Sequence, residues 1–245
     1  MNNHFRSIPV VISALLLTHQ AWAQTASDAV ETPLTFKLTP SYYHISNGNN
    51  AADLNLRAEY GAHYAWIGYY RDHQGFEQTR AGYEYHADFG YVRPIFSAQA
   101  ASRGFLGGSV TAEVGGDTYA IVGWGRTNLR DYYNLNFDPN DAVTLGIGTR
   151  VFANTELSLF TIKDDRLDTG QRVTHLVVRK ELARQQRISL DLNYKSGQSS
   201  AGNYVAGRGI GLTYDFEPWF VRVAYDPYVN FTENQMTLFA LGRRF

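Results

Sequence analysis

The chain has 245 residues with 22 Lys and Arg against 23 Asp and Glu, a near-neutral balance that leaves no electrostatic footprint for nucleic acid. It contains no cysteine, which excludes a disulfide scaffold and thiolate metal sites. Past the N-terminus no apolar run reaches the ~18 residues that a transmembrane helix needs, yet 17 Tyr, 14 Phe and 22 Gly with only 18% charged residues fit a wall in which every second residue is apolar.

In chain order, Arg6, an apolar core from Ile8 to Leu17 and the small-residue site Ala21-Trp22-Ala23 form the tripartite layout of a cleaved signal peptide over residues 1–23, with Gln24 the first mature residue. Residues 24–33 are a polar lead-in. From Leu34 onward the pattern has period two, broken by turn residues. Strands are expected near 34–46, 52–60, 63–72, 76–87, 91–101, 105–114, 118–127, 142–151, 155–164, 172–181, 186–196, 206–216, 218–227 and 234–245. The segment Arg187-Ile188-Ser189-Leu190-Asp191-Leu192-Asn193-Tyr194-Lys195 alternates without a break, polar at odd and apolar at even positions. Three segments, 63–72, 118–127 and 172–181, alternate poorly, so twelve strands is the alternative to fourteen.

Tight linkers such as Gly61-Ala62, Gly115-Gly116, Ala153-Asn154 and Glu217-Pro218 take turns with longer ones at 128–141, 165–171 and 197–205. Short turns at one end and long loops at the other are the asymmetry of membrane barrels. The expected fold is all-β: one antiparallel transmembrane β-barrel over 34–245, its apolar face toward lipid and its charged face toward the lumen.

The last strand ends at Phe245 and puts Phe239, Leu241 and Arg243 on the same face. A terminal Phe on an amphipathic strand resembles the signature of bacterial outer-membrane β-barrels. That resemblance implies a place in the outer membrane, contact with its lipids and recognition of the C-terminal strand by the barrel-assembly machinery. It does not fix an oligomeric state.

Alternation also assigns an inward charge set: Arg57, Glu59, Arg80, Glu84, His86, Arg93, Glu113, Arg150, Arg187, Asp191, Lys195, Asp215 and Arg222. These groups can neutralise one another and stiffen the wall, or line a small polar pore with a mild anion preference. No connection looks suited to fold inward as a constriction, so the lumen is expected to be filled or very narrow.

Two segments invite chemistry. Tyr42-Tyr43-His44-Ile45-Ser46-Asn47-Gly48 resembles the His-x-Ser-Asn-Gly segment of outer-membrane phospholipase A and the related His-x-Ser-Asn segment of lipid A 3-O-deacylases. The resemblance implies His44 as general base and Ser46 as nucleophile on an outer-leaflet lipid ester. Positions i and i+2 of a strand project from one face, so the imidazole can reach the hydroxyl. Those families place an Asn or Glu fourteen residues after the His, where this chain has Ala58; Asp53, Asn55 and Glu59 point inward by parity, and Asn50 is reached only through the hairpin. A hairpin turn over Ser46-Asn47-Gly48-Asn49-Asn50 is the competing reading. In the loop 128–141, Asp131, Asp138 and Asp141 offer hard oxygen ligands suited to Ca²⁺, but the spacing matches no EF-hand. Tyr132, Tyr133 and Phe137 within it suggest a loop that packs on itself or over the mouth. No metal or cofactor is expected. The favoured function is an outer-membrane barrel without catalysis, structural or a narrow pore; the alternative is the lipid ester hydrolase.

Overall fold

The computed structural model describes residues 33–182 and 185–245, so the expected signal peptide and all of the lead-in but Pro33 lie outside the described residues. The strands are β1 (Thr35–Ile45), β2 (Ala51–Tyr60), β3 (His63–Asp72), β4 (Glu77–His86), β5 (Val92–Ala101), β6 (Phe105–Gly115) and β7 (Thr118–Thr127). They continue with β8 (Ala142–Phe152), β9 (Thr155–Asp164), β10 (Arg172–Glu181), β11 (Gln186–Gln198), β12 (Tyr204–Phe216), β13 (Trp219–Asp226) and β14 (Met236–Arg244). Each pairs antiparallel with its neighbours in sequence, and β1 pairs with β14, so the fourteen strands close into a barrel without a free edge. Reciprocal backbone hydrogen bonds between Phe36 and Phe245, 2.8 and 2.9 Å, fasten the seam.

Alternation decides which face each side chain takes. The exterior carries an unbroken apolar belt in which Leu54, Ile67, Val110, Leu159, Leu192 and Val223 are all exposed. Tyr83, Tyr85, Phe96, Trp219 and Phe245 ring one rim of that belt, and Tyr42, Tyr69, Trp124, Tyr194 and Tyr225 the other. An apolar band between two aromatic girdles is a surface shaped for a bilayer and far exceeds the patches that water-facing proteins expose. No helix among the described residues is long and apolar enough to cross a membrane, a matter on which a β-barrel does not depend.

The two ends differ. One, the turn end, carries the connections at 61–62, 116–117, 153–154 and 217–218. The other, the loop end, carries 46–50, 165–171, 227–235 and the longest, 128–141. The twelve-strand alternative is ruled out because the three poorly alternating segments are β3, β7 and β10. Their inward positions hold Tyr70, Tyr119 and Val173, which are 1%, 2% and 1% exposed. These side chains are packed by their neighbours, Tyr119 beneath the Arg150 guanidinium, so the inward positions need not be short polar residues. Space for the packed rings comes from small neighbours: a Cβ added at inward-facing Gly148 would collide with the Tyr119 ring, and one at Gly242 with Phe220.

Candidate functional site in the barrel lumen

The loop 128–141 leaves β7 at the loop end, enters the lumen and returns to β8. Its neck is closed by Asp141, whose carboxylate accepts hydrogen bonds from the Thr127 amide at 3.1 Å, the Thr127 hydroxyl at 2.5 Å and Arg166 Nη1 at 2.7 Å. Burial opposes ionisation of Asp141, but these donors outweigh it and hold the carboxyl below the usual carboxylate range. Deeper in, Tyr132 stacks on Phe105 of β6 with ring centroids 4.0 Å apart, and Tyr133 on Tyr70 of β3 at 4.8 Å. Gln78 of β4 clasps the backbone of Tyr133, donating to its carbonyl at 3.1 Å and accepting from its amide at 2.9 Å. Phe137 meets the edge of Tyr43 at 6.2 Å. Its backbone is left-handed at φ 64°, which costs a non-glycine residue about 1 kcal/mol and persists because the ring is held in place.

On the opposite wall the loop is tied by charge. Asp138 Oδ1 lies 3.1 Å from Nε2 of His175 on β10, and Nδ1 of the same ring lies 3.0 Å from Asp191 on β11. Phe160 of β9 stacks on the imidazole at 5.0 Å. A second connection, 227–235, also turns inward: Val229 and Phe231 are 2% and 3% exposed, and Lys195 Nζ lies 5.0 Å from the Phe231 ring. The expectation that no connection would fold inward is therefore corrected. The aromatic residues of 128–141 do not pack on one another or over the mouth; they dock on rings supplied by the wall.

The loop divides the lumen. A cavity of about 440 Å³ lies against β2–β8, lined by Asn55, Trp66, Gln99, Thr111, Tyr132 and Asn134. Another, of about 340 Å³, lies against β9–β13, lined by Phe160, His175, Arg179, Ser189, Asp191 and Arg222. Leu135, Asn136 and Asp138 line both.

Of the charged residues expected on the inward face, nearly all are paired among the described residues. Arg57 meets Glu84 at 2.7 Å, and Glu84 also lies 3.0 Å from His86. Arg80 grips Asp53 with both amino groups, at 2.8 and 2.9 Å. Arg93 and Arg150 share Glu113, Arg187 reaches Asp215 at 3.4 Å, Lys195 reaches Asp226 at 2.5 Å, and Glu59 accepts from Tyr64 at 3.1 Å. Asp191 belongs to the His175 group. The Arg222 side chain makes no hydrogen bond or ion pair among the described residues. Sequence reasoning missed His175, Lys37 and Arg244, and read Asp138 only as a cation ligand. Parity alone marks Lys37 and Arg244 as inward, and Arg244 bonds Asp215. His175 is hidden between the apolar Val173 and Val177.

His44 points outward at the loop end as alternation requires, and Ser46 is exposed just beyond β1. The two form no hydrogen bond with each other. The Ser46 hydroxyl accepts the Gln235 amide at 3.0 Å, which leaves its own proton free, and the Asn50 side-chain oxygen accepts the Ile45 amide at 2.9 Å, away from the imidazole. Gly48, at φ 79°, completes a hairpin turn. Among the described residues no three His, Asp or Glu gather as metal ligands. Asp138 and Asp141, the loop carboxylates placed for Ca²⁺, are taken by His175 and by Thr127 with Arg166.

No family model matches the chain. No curated protein matches it in sequence. Among solved structures it is similar to the Acinetobacter baumannii outer membrane protein Omp33, with 11% identity over 88% of this chain and all of that one, at a TM-score of 0.56. It is also similar to a mutant porin of Rhodopseudomonas blastica, with 9% identity over 87% of this chain and 99% of that one, at a TM-score of 0.51. At such identities the likeness is one of fold: this chain is a closed, all-antiparallel barrel of the outer-membrane type.

Proposed function

We propose that the protein is a narrow pore of the outer membrane whose bore is set by the 128–141 loop. The observation that carries this reading is the pair of cavities left on either side of that loop, about 440 and 340 Å³, the first of them mainly polar and the second holding His175, Arg179, Asp191 and Arg222 in its wall. A barrel serving only as a wall has no need of a lumen lined by amides, hydroxyls and guanidiniums around an infolded segment. The apolar belt, its aromatic girdles and the Phe245 strand support outer-membrane lipid as surroundings and the barrel-assembly machinery as a partner. Purified protein in planar bilayers is expected to give small, discrete current steps that grow with salt. Silence at densities where an established porin conducts would contradict the reading.

The outward placement of His44 keeps one second reading in view, an outer-leaflet lipid ester hydrolase with Ser46 as nucleophile. Under the pore reading, mixed micelles of phospholipid or lipid A release no fatty acid in the presence of the protein. Release that disappears on Ser46→Ala and on His44→Ala alike would establish the hydrolase instead, since the two groups act as a unit.

A further inference from the structure

Charge is distributed unevenly along the lumen. Toward the loop end the inward pairs lean acidic: Arg80 meets Asp53, Lys195 meets Asp226, and the one His175 stands between Asp138 and Asp191, three bases to four acids. At the turn end three carboxylates serve five guanidiniums. Glu113 takes Arg93 at 3.2 Å and Arg150 at 2.7 Å; Glu156 takes Arg150 at 2.8 Å and Arg179 at 3.3 Å. Asp215 takes both Arg187 and Arg244. Donors there exceed acceptors, and Arg93 Nη2 and Arg187 Nε have no hydrogen-bond partner among the described residues.

Two more cations face the same region without an ion pair among the described residues. Lys37, opposite Arg244 in the strand register, rests over the Phe220 ring at 5.3 Å. Arg222, one inward position beyond Phe220 along β13, opens onto the cavity of about 340 Å³. The remaining inward acids toward this end do not restore balance. Glu84 is matched by Arg57, Glu181 lies 3.9 Å from the already shared Arg187, and Glu59 has only the Tyr64 hydroxyl. Eight bases thus face six acids.

We propose that this collar is an anion filter, so that the pore passes small monoanions, chloride and short carboxylates, in preference to cations. The inference rests on the pore reading above and names its solute class. Fixed positive charge in a narrow, low-dielectric bore raises the local anion concentration and repels cations. The collar arginines are between 26% and 47% exposed, so their heads reach lumen water. A planar guanidinium fork also suits a carboxylate.

The test is the reversal potential of the full protein in planar bilayers under a KCl gradient, repeated with potassium acetate. We expect the anion sign with both salts and an anion-to-cation permeability ratio of roughly threefold or more. Arg222→Gln and Lys37→Gln, which disturb no ion pair and so leave assembly intact, should each move the ratio toward unity, and the double variant further. Current steps that reverse at zero or with the cation sign would overturn the filter while leaving the pore. A silent bilayer would overturn the pore reading and the filter together.

Discussion

At the residue scale, the lumen pairs show what alternation can and cannot reveal. Arg80 and Asp53 are 7% and 6% exposed and joined by two hydrogen bonds, so removing one partner strands a buried charge. Asp53→Ala is expected to cost about 3 kcal/mol, the low end for such a loss because the adjacent cavity admits water, and urea unfolding in detergent measures it. An unchanged midpoint would show that the pair is not held. Parity puts Arg80, Glu84, Arg93, Asp191 and Asp215 on the charged face of their strands, because period two follows from backbone geometry alone. It did not say who pairs with whom. Partner choice depends on the closing register, which brings Arg244 of the last strand to Asp215 of β12. The Ser46 and His44 segment shows a different limit: a short motif carries residue types and a face, but not their hydrogen-bond partners. The Ser46 hydroxyl went to Gln235, a residue 189 positions away.

At the element scale, the strands were legible and the loop was not. All fourteen expected segments lie within two residues of the observed strand at both ends, and β3, β7, β9 and β10 match in full. β3, β7 and β10 blurred the alternation because their inward positions hold the packed side chains of Tyr70, Tyr119 and Val173, and a packed inward position reads as apolar. The loop 128–141 mixes aromatic and turn-forming residues with no period, and its docking sites on Tyr43, Tyr70 and Phe105 look like ordinary wall. Replacing Tyr132, Tyr133 and Phe137 together by Ala should free the loop and raise single-channel conductance several-fold while the barrel still assembles. No change in conductance would mean the loop does not limit flow. Asp141 adds a pH dependence. Its carboxyl is held below the usual range when folded, so its contribution is fully present above the unfolded value of about 3.9 and is lost as pH falls through the lower folded value. Conductance should therefore be steady through neutral and mildly acid pH and rise only below about 4 as the loop neck opens. A rise already at neutral pH would place control elsewhere.

At the scale of the whole molecule, closure and the apolar belt make the barrel one cooperative unit whose strands leave no edge unpaired. Unheated protein should migrate differently from boiled protein on a detergent gel, and identical mobility would count against a closed barrel. The central claim, a pore narrowed from within by 128–141, can be tested at one atom. Asn136 lines both cavities, and the chain has no cysteine of its own, so Asn136→Cys introduces a single reactive thiol. Reaction with a charged, water-soluble thiol reagent during recording should cut the current sharply, and a reducing agent should restore it. Full modification by mass spectrometry with the current untouched would show that ions do not pass beside the loop.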